Sequence, residues 1–294
     1  MDNLTDEHLD WLNDTSNGTE PGYCYEKDCY INEKPLEIIV REWPLVYFPH
    51  NFAIVVTYIL TCKFIGPRIM RKYEPFDLRY VMQAYNLLQI FISCWLLKEF
   101  WVNGWGGSYN MTCQPIDRSP LGYEMAKTVW WCFISKYVEF LDTIFFVLRK
   151  RERQISVLHL VHHSLMPITI GFGLPFTPNG HGTFYGLVNS FIHVVMYSYY
   201  FLASLGPKVQ QYLWWKVHLT KMQLLQFLIV FSHQVQVFIY DCDFSRTIAG
   251  MECLFAILLT ILFGNFYVQS YLKKSKGLRP PAVCIATQCN VKQE

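Results

Sequence analysis

The chain has 294 residues, of which 52% are hydrophobic and 17% aromatic, with a formal net charge of +2. Near-neutral charge lacks the basic excess that a nucleic-acid surface needs. The apolar residues fall in long runs with the charges in blocks between them, which excludes an ordinary soluble domain.

Residues 1–40 are acidic, with Asp2, Asp6, Glu7, Asp10, Asp14 and Glu20 among them, and no apolar leader core precedes the first long run. A bilayer-spanning helix needs about 20 apolar residues. Segments of that kind are predicted at roughly 44–66, 77–102, 125–148, 154–173, 180–204, 212–237 and 247–272. The expected organisation is a lumenal acidic tail (1–40), an all-α domain of seven transmembrane helices (41–275) and a tail (276–294). Lys63, Arg68, Arg71, Lys72 and Arg79 lie near the first connection. Arg149, Lys150, Arg151 and Arg153 fill the third, Lys208 and Lys216 bracket the fifth, and Lys273, Lys274, Lys276 and Arg279 follow the last span. Basic connections stay cytosolic, so the C-terminus is expected in the cytosol and the N-terminus in a lumen.

The sequons at Asn3, Asn13, Asn17 and Asn110 all fall on the lumenal side and are candidate glycosylation sites. The ten cysteines make no metal pattern. Cys113 and Cys242 both fall in lumenal connections, where oxidation is possible and a bridge would tie the second to the sixth. Cys24 and Cys29 are a second candidate pair. Cys62, Cys94, Cys132 and Cys253 lie in spans and read as packing residues.

Polar residues interrupt four of the spans. Lys136, Glu139 and Asp142 are three apart and share a broad helix face. Ionisable groups inside a span mark function by default; the alternative is a mutual ion pair that keeps helices in register. His159, His162 and His163 fall within an arc of roughly 100° on a helix. Such a face serves as a satisfied polar core, a metal box, a pH-sensitive cluster or a catalytic centre. Asn189, His193 and Tyr197 (or Met196) follow at spacing four, and Thr220, Gln223 and Gln226 at spacing three; the amides could also simply bond helix to helix. Counted from the cytosolic ends at about 1.5 Å per residue, Asp142 lies ~9 Å deep, His162 and Thr220 ~12 Å, Glu139 ~14 Å, and His193 and Gln223 ~16 Å. One polar layer therefore sits in the cytosolic half of the membrane, with apolar side chains beyond it. That shape suits a substrate with a polar head and a long hydrocarbon tail. Phe191, Phe231 and Trp131 are candidate wall residues.

These blocks carry a resemblance. Lys136, Glu139, Asp142 and Thr143 match Lys-x-x-Glu-x-x-Asp-Thr, and His159, His162 and His163 match His-x-x-His-His. Asn189, His193, Met196, Tyr197, Tyr199 and Tyr200 match Asn-x-x-x-His-x-x-Met-Tyr-x-Tyr-Tyr. Thr220, Gln223, Gln226 and Phe227 match Thr-x-x-Gln-x-x-Gln-Phe. In this order the sequence resembles the ELO (ELOVL) family of very-long-chain fatty-acid elongases over roughly residues 40–275. Val161 stands where the family usually has Tyr or Phe. The resemblance implies a seven-helix fold with six helices forming an inverted barrel around an acyl-CoA tunnel. It implies a 3-oxoacyl-CoA synthase of the endoplasmic reticulum membrane that joins acyl-CoA to malonyl-CoA, with no metal and no other cofactor. It also implies the other enzymes of the elongation cycle (3-oxoacyl-CoA reductase, dehydratase and enoyl reductase) as partners, and a homodimer.

Condensation needs an acyl acceptor, and no cysteine lies in the polar layer. An imidazole can take an acyl group from a thioester, which makes His162 the candidate nucleophile. His193 is the candidate for stabilising developing charge, with His159 and His163 positioning the nucleophile. Lys136, Glu139, Asp142, Asn189, Tyr197, Thr220, Gln223 and Gln226 are candidate substrate contacts, and Arg149, Lys150 and Arg153 are candidates for attracting phosphates. A membrane di-iron desaturase or hydroxylase is the main rival; it would need several His boxes, and one is present. A non-enzymatic seven-helix transporter or receptor leaves the histidine face unexplained.

Overall fold

The computed structural model describes residues 22–25, 28–31 and 34–273, with side chains from Pro35 onward. The sequons at Asn3, Asn13 and Asn17 and the tail 276–294 lie outside the described residues. A three-stranded antiparallel meander leads in: β1 (Gly22–Tyr25), β2 (Asp28–Ile31) and β3 (Lys34–Pro35). Its register sets Cys24 opposite Cys29. The strands lie in the stretch expected as the tail (1–40), where tyrosines and an isoleucine favour extended chain. The remainder of the described chain is helical.

The short helix α1 (Leu36–Arg41) buries Leu36 and Val40 against Phe133 and Leu174. Next come α2 (Phe48–Leu60), α3 (Gly66–Met70) joined to it by a π turn, and α4 (Arg79–Phe100), which runs on through a second π turn. Then follow α5 (Pro120–Val138), α6 (Phe140–Leu148), α7 (Val157–Gly173), α8 (Thr183–Ser204) and the single turn α9 (Pro207–Gln210). The last are α10 (Lys216–Ile239) and α11 (Arg246–Tyr267), the latter extended by a π turn. Ser119, Ser156 and Ser245 cap α5, α7 and α11, each side chain accepting a backbone N–H of the first turn.

Four helical runs are long and apolar enough to cross a membrane: Phe48–Met70, Arg79–Trp105, Lys216–Ile239 and Arg246–Leu272. The helices that carry Lys136, Glu139, Asp142 and the histidines are not among them. Of these, α7 has only 17 residues, and the α5–α6 run is broken at Glu139. Packing makes a closed circuit: α4 lies against α8, α8 against α10, α10 against α11, α11 against α7, α7 against α5, and α5 against α4. Outside it, α2 packs on α7.

Two local features set how α7 sits. Pro167 has no N–H, so it deprives the His163 carbonyl of its helical donor, while its own carbonyl accepts from Asn51 Nδ2 at 2.8 Å. Gly171 lets that amide come close, because a Cβ there would collide with it and stand 2.9 Å from Phe133.

The loops at the opposite end of the circuit are tied together. A disulfide joins Cys113 to Cys242, with Cα atoms 5.6 Å apart. Asn179 accepts from Asp117 N at 2.8 Å and donates to the Asp117 and Gly122 carbonyls at 2.7 and 2.8 Å. His181 lies flat on His233, with ring centroids 3.9 Å apart, and its Nε2 is 2.9 Å from the His233 carbonyl. Burial pushes the His181 imidazole below its ordinary range. Trp105 Nε1 donates to Thr183 Oγ1 at 3.0 Å. Asn110 is exposed, and its Oδ1 accepts from Thr112 N at 2.8 Å.

Candidate active site

The site begins where one helix becomes two. Glu139 ends α5 and begins α6, and its side chain is buried among polar partners. Lys136 Nζ is 2.7 Å from Glu139 Oε1 and donates to Asn189 Oδ1 at 3.3 Å. His193 Nδ1, from α8, lies 3.3 Å from the same Glu139 oxygen. A buried carboxylate between an ammonium and an imidazole fixes both in place, since an unpaired charge there would be costly. Lys136, Glu139, Asn189 and His193 thus form one cluster.

A second group lies beside it. Tyr197 OH donates to Asp142 Oδ2 at 2.9 Å. Gln89 Nε2 donates to Tyr197 OH at 3.2 Å and to Tyr85 OH at 3.0 Å. Tyr85 and Gln89 belong to α4 and are absent from the sequence-based candidates. Their signal was a pair of hydrogen-bonding residues four apart in an apolar run, which is weak on its own.

The histidines of α7 form the third group. Ser156 caps the helix at the His159 N–H, so His159 stands in its first turn. Hydrogen bonds join His159 Nε2 to Thr143 Oγ1 at 2.8 Å and Thr143 Oγ1 to Tyr58 OH at 2.7 Å. The rings of His159 and His163 lie 4.3 Å apart and those of His163 and His162 5.5 Å. His162 and His163 each bury an Nδ1 with no hydrogen-bond partner. His162 faces Phe263 of α11, with centroids 6.2 Å apart. Tyr58 was also missed from sequence; a tyrosine in an apolar run carries no mark of which way it points.

The α10 candidates are less concentrated. Gln226 buries an unpartnered Oε1. Gln223 Nε2 donates to Met196 Sδ at 3.6 Å, and Thr220 pairs with Tyr271 OH at 3.4 Å. Neither bonds to a histidine.

One turn beyond the histidines the surroundings become apolar. A cavity of about 100 Å³ runs from Met166 and Leu259 toward Thr177 and Ile248, walled by residues such as Phe100, Phe227 and Phe255. The wall residues expected from sequence are not there. Phe191 and Trp131 are 48% and 47% exposed on the outside of the circuit, and Phe231 does not line the cavity either. Among the described residues, no three His, Cys, Asp or Glu side chains are arranged to hold a metal ion.

Comparison with known proteins identifies the family. The pattern of the ELO: GNS1/SUR4 family matches residues 43–278. Very long chain fatty acid elongase 7 of Drosophila melanogaster is 44% identical over 238 residues, which cover 80% of this chain and 72% of that protein. Very long chain fatty acid elongase 7 of Rattus norvegicus is 38% identical over 86% of this chain and 91% of its own. Very long chain fatty acid elongase 1 of Homo sapiens is 38% identical over 82% and 88%. With the family pattern spanning every helix from α2 onward and identities of this size over most of both chains, this protein belongs to the ELO (GNS1/SUR4) family of very long chain fatty acid elongases.

Proposed function

We propose that this protein catalyses the condensing step of fatty-acid elongation, in which an acyl-CoA and malonyl-CoA give 3-oxoacyl-CoA, CO2 and CoA. The observation that carries the reading is the histidine group at the head of an apolar cavity. A thioester carbonyl at His162 would have its hydrocarbon tail in that cavity and its CoA in the cytosol. His162 attacks the carbonyl, the C–S bond breaks, and the ring's proton goes to the departing thiolate. Decarboxylation of malonyl-CoA leaves an enolate, whose carbon attacks the acyl-imidazole; the C–N bond breaks and His162 recovers a proton from solvent. His193, oriented by Glu139, donates to the enolate oxygen. Nδ1 is unpartnered in both His162 and His163; of the two, His162 faces Phe263 of α11 while His163 packs on His159, and His159 is held by Thr143 and His193 by Glu139. Asn189, Asp142, Tyr197, Gln223 and Gln226 frame the thioester, and the basic residues after α6 attract the CoA phosphates.

The same reading takes seven helices as spans, six of them as a barrel around the acyl tunnel with α2 outside. It takes the endoplasmic reticulum as the membrane, with the N-terminus lumenal; the loop-charge asymmetry and the Cys113–Cys242 bridge support that orientation. The elongation-cycle reductases and dehydratase, and a second copy of the chain, are the expected partners.

The test uses microsomes containing the full chain, labelled malonyl-CoA and a panel of acyl-CoAs, with NADPH omitted so that the 3-oxoacyl product accumulates. His162→Ala and His193→Ala are each expected to lower product formation by about 10³-fold or more. An acyl adduct that still forms in His162→Ala would reject that residue as nucleophile. No product from any acyl-CoA by folded wild-type protein would reject condensation itself.

A further inference from the structure

The far end of the apolar cavity contains a polar group that a plain hydrocarbon does not satisfy. Five oxygen-bearing side chains line the cavity: Thr169, Thr177, Thr183, Tyr185 and Glu252. Four of them have partners. Thr169 Oγ1 donates to the Leu165 carbonyl at 2.9 Å and Thr177 Oγ1 to the Gly173 carbonyl at 3.3 Å. Thr183 Oγ1 donates to the Gly180 carbonyl at 2.7 Å, and Tyr185 OH to Met166 Sδ at 2.9 Å. Glu252 differs: its Oε2 is buried and has no hydrogen-bond partner.

Its position is distinctive. Glu252 stands in the second turn of α11, eleven residues before Phe263, which faces His162. That separation is about 16 Å along the helix. The carboxyl rests on the backbone at Gly182, where a Cβ would stand 2.7 Å from Glu252 Oε1 and 3.3 Å from Phe244 Cζ. A glycine at this position admits the carboxyl. Phe244, two residues beyond the bridged Cys242, packs beside the same glycine.

A buried polar atom without a partner is expensive, and native interiors rarely leave one. A methyl-ended chain reaching this point would displace any solvent and leave Oε2 unsatisfied. A chain ending in a hydroxyl would donate to it, and a carboxyl offers an acceptor in either protonation state. We infer that the far end of the cavity selects acyl chains bearing a terminal hydroxyl, ω-hydroxyacyl thioesters, with Glu252 accepting the hydrogen bond. The inference rests on the elongation reading above, since it concerns which chain occupies the cavity during that reaction.

The experiment is a competition in microsomes containing the full chain. Saturated acyl-CoAs of increasing length are each mixed with the ω-hydroxy form of the same length, and the ratio of the two elongated products is read. In wild type the hydroxylated chain is expected to be favoured by about tenfold at the length that reaches Glu252, and not at shorter lengths. Glu252→Leu and Glu252→Met both keep bulk and remove the acceptor, and both are expected to abolish the preference. Glu252→Gln keeps a carbonyl oxygen and is expected to retain most of it. The ratio is read within each variant, so a lower yield of folded protein does not alter it. Equal elongation of both forms at every length, as would follow if trapped water satisfied the carboxyl, overturns the inference. A preference that survives in Glu252→Leu and Glu252→Met does the same. Absence of product from either form at any length overturns the elongation reading, and this inference with it.

Discussion

The two ends of the cavity are held in different ways. At the histidine end the bonds run between side chains of different helices: Lys136 to Glu139 and Asn189, Glu139 to His193, His159 to Thr143 and on to Tyr58. At the opposite end the loops are fixed by a disulfide and by side chains bonded to backbone, as with Asn179 on Asp117 and Gly122. Backbone bonds and a covalent link hold a shape and offer nothing to a substrate. Side-chain networks hold imidazoles in chosen orientations while leaving nitrogens such as His162 Nδ1 available.

The strongest way to break this contrast is at Glu139. Glu139→Leu leaves the Lys136 ammonium buried without its partner, and a loss of roughly 3–5 kcal/mol is expected. Adding Lys136→Met should restore much of that stability without restoring activity. Thermal unfolding in detergent measures the first effect and malonyl-CoA incorporation the second. Recovery of activity in the double variant would show the pair to be structural only.

At the other end, Cys113→Ser should cost about 2–4 kcal/mol of stability, and Cys242→Ser together with it no more than either alone. Midpoints under non-reducing and reducing conditions should differ for wild type and coincide for the variants. Asn179→Ala removes all three bonds of a buried amide and should cost roughly 2–3 kcal/mol, read by the same unfolding assay. Tyr58→Phe should cost only about 1 kcal/mol. It frees the Thr143 hydroxyl to reorient on His159, so the pH profile of condensation should move while that of Asn179→Ala does not.

The smallest effect concerns His181. Its folded-state affinity for a proton is lowered by burial, so the unfolded chain binds the proton more readily. Its contribution to stability is therefore complete above about pH 6.5 and declines as the pH falls below that value. His181→Asn should flatten the dependence of the unfolding midpoint between roughly pH 7 and 5. An unchanged slope would assign the dependence to other groups.

The positions of the helices were largely legible in the sequence. The apolar run expected at roughly 180–204 emerges as Thr183–Ser204, and that at 247–272 as Arg246–Tyr267 with its π turn. Hydrophobicity reports where a span lies because a bilayer requires it. The polar cluster was legible for the opposite reason, since charged groups within an apolar run stand out. Which way an apolar residue faces was not legible. In water the buried face of a helix is the apolar one, but in a membrane both faces are apolar. Phe191 and Trp131 were therefore assigned to the cavity wall and are found outside it, while Phe100 and Phe227 were overlooked. Tyr58 escaped for the same reason, while Tyr85 and Gln89 were a weak polar signal in an apolar run. Glu252 was hidden differently: it is a single acid near a predicted span end, where a solvated carboxylate is unremarkable. The division of α5 from α6 at Glu139 had no proline or glycine to announce it.

The pairing of Lys136 with Glu139 also bears on how the chain is made. The two are three residues apart on one stretch of chain, so they meet as soon as that stretch emerges from the ribosome and coils. His193 and Asn189, their later partners, are more than fifty residues downstream. On the seven-span reading proposed above, the third hydrophobic stretch enters the bilayer during synthesis before the rest of its polar surroundings exist. It does so carrying its own counter-charge, a neutralised pair in place of a bare ammonium, which lowers the cost of insertion at the step when no other helix is there to share it.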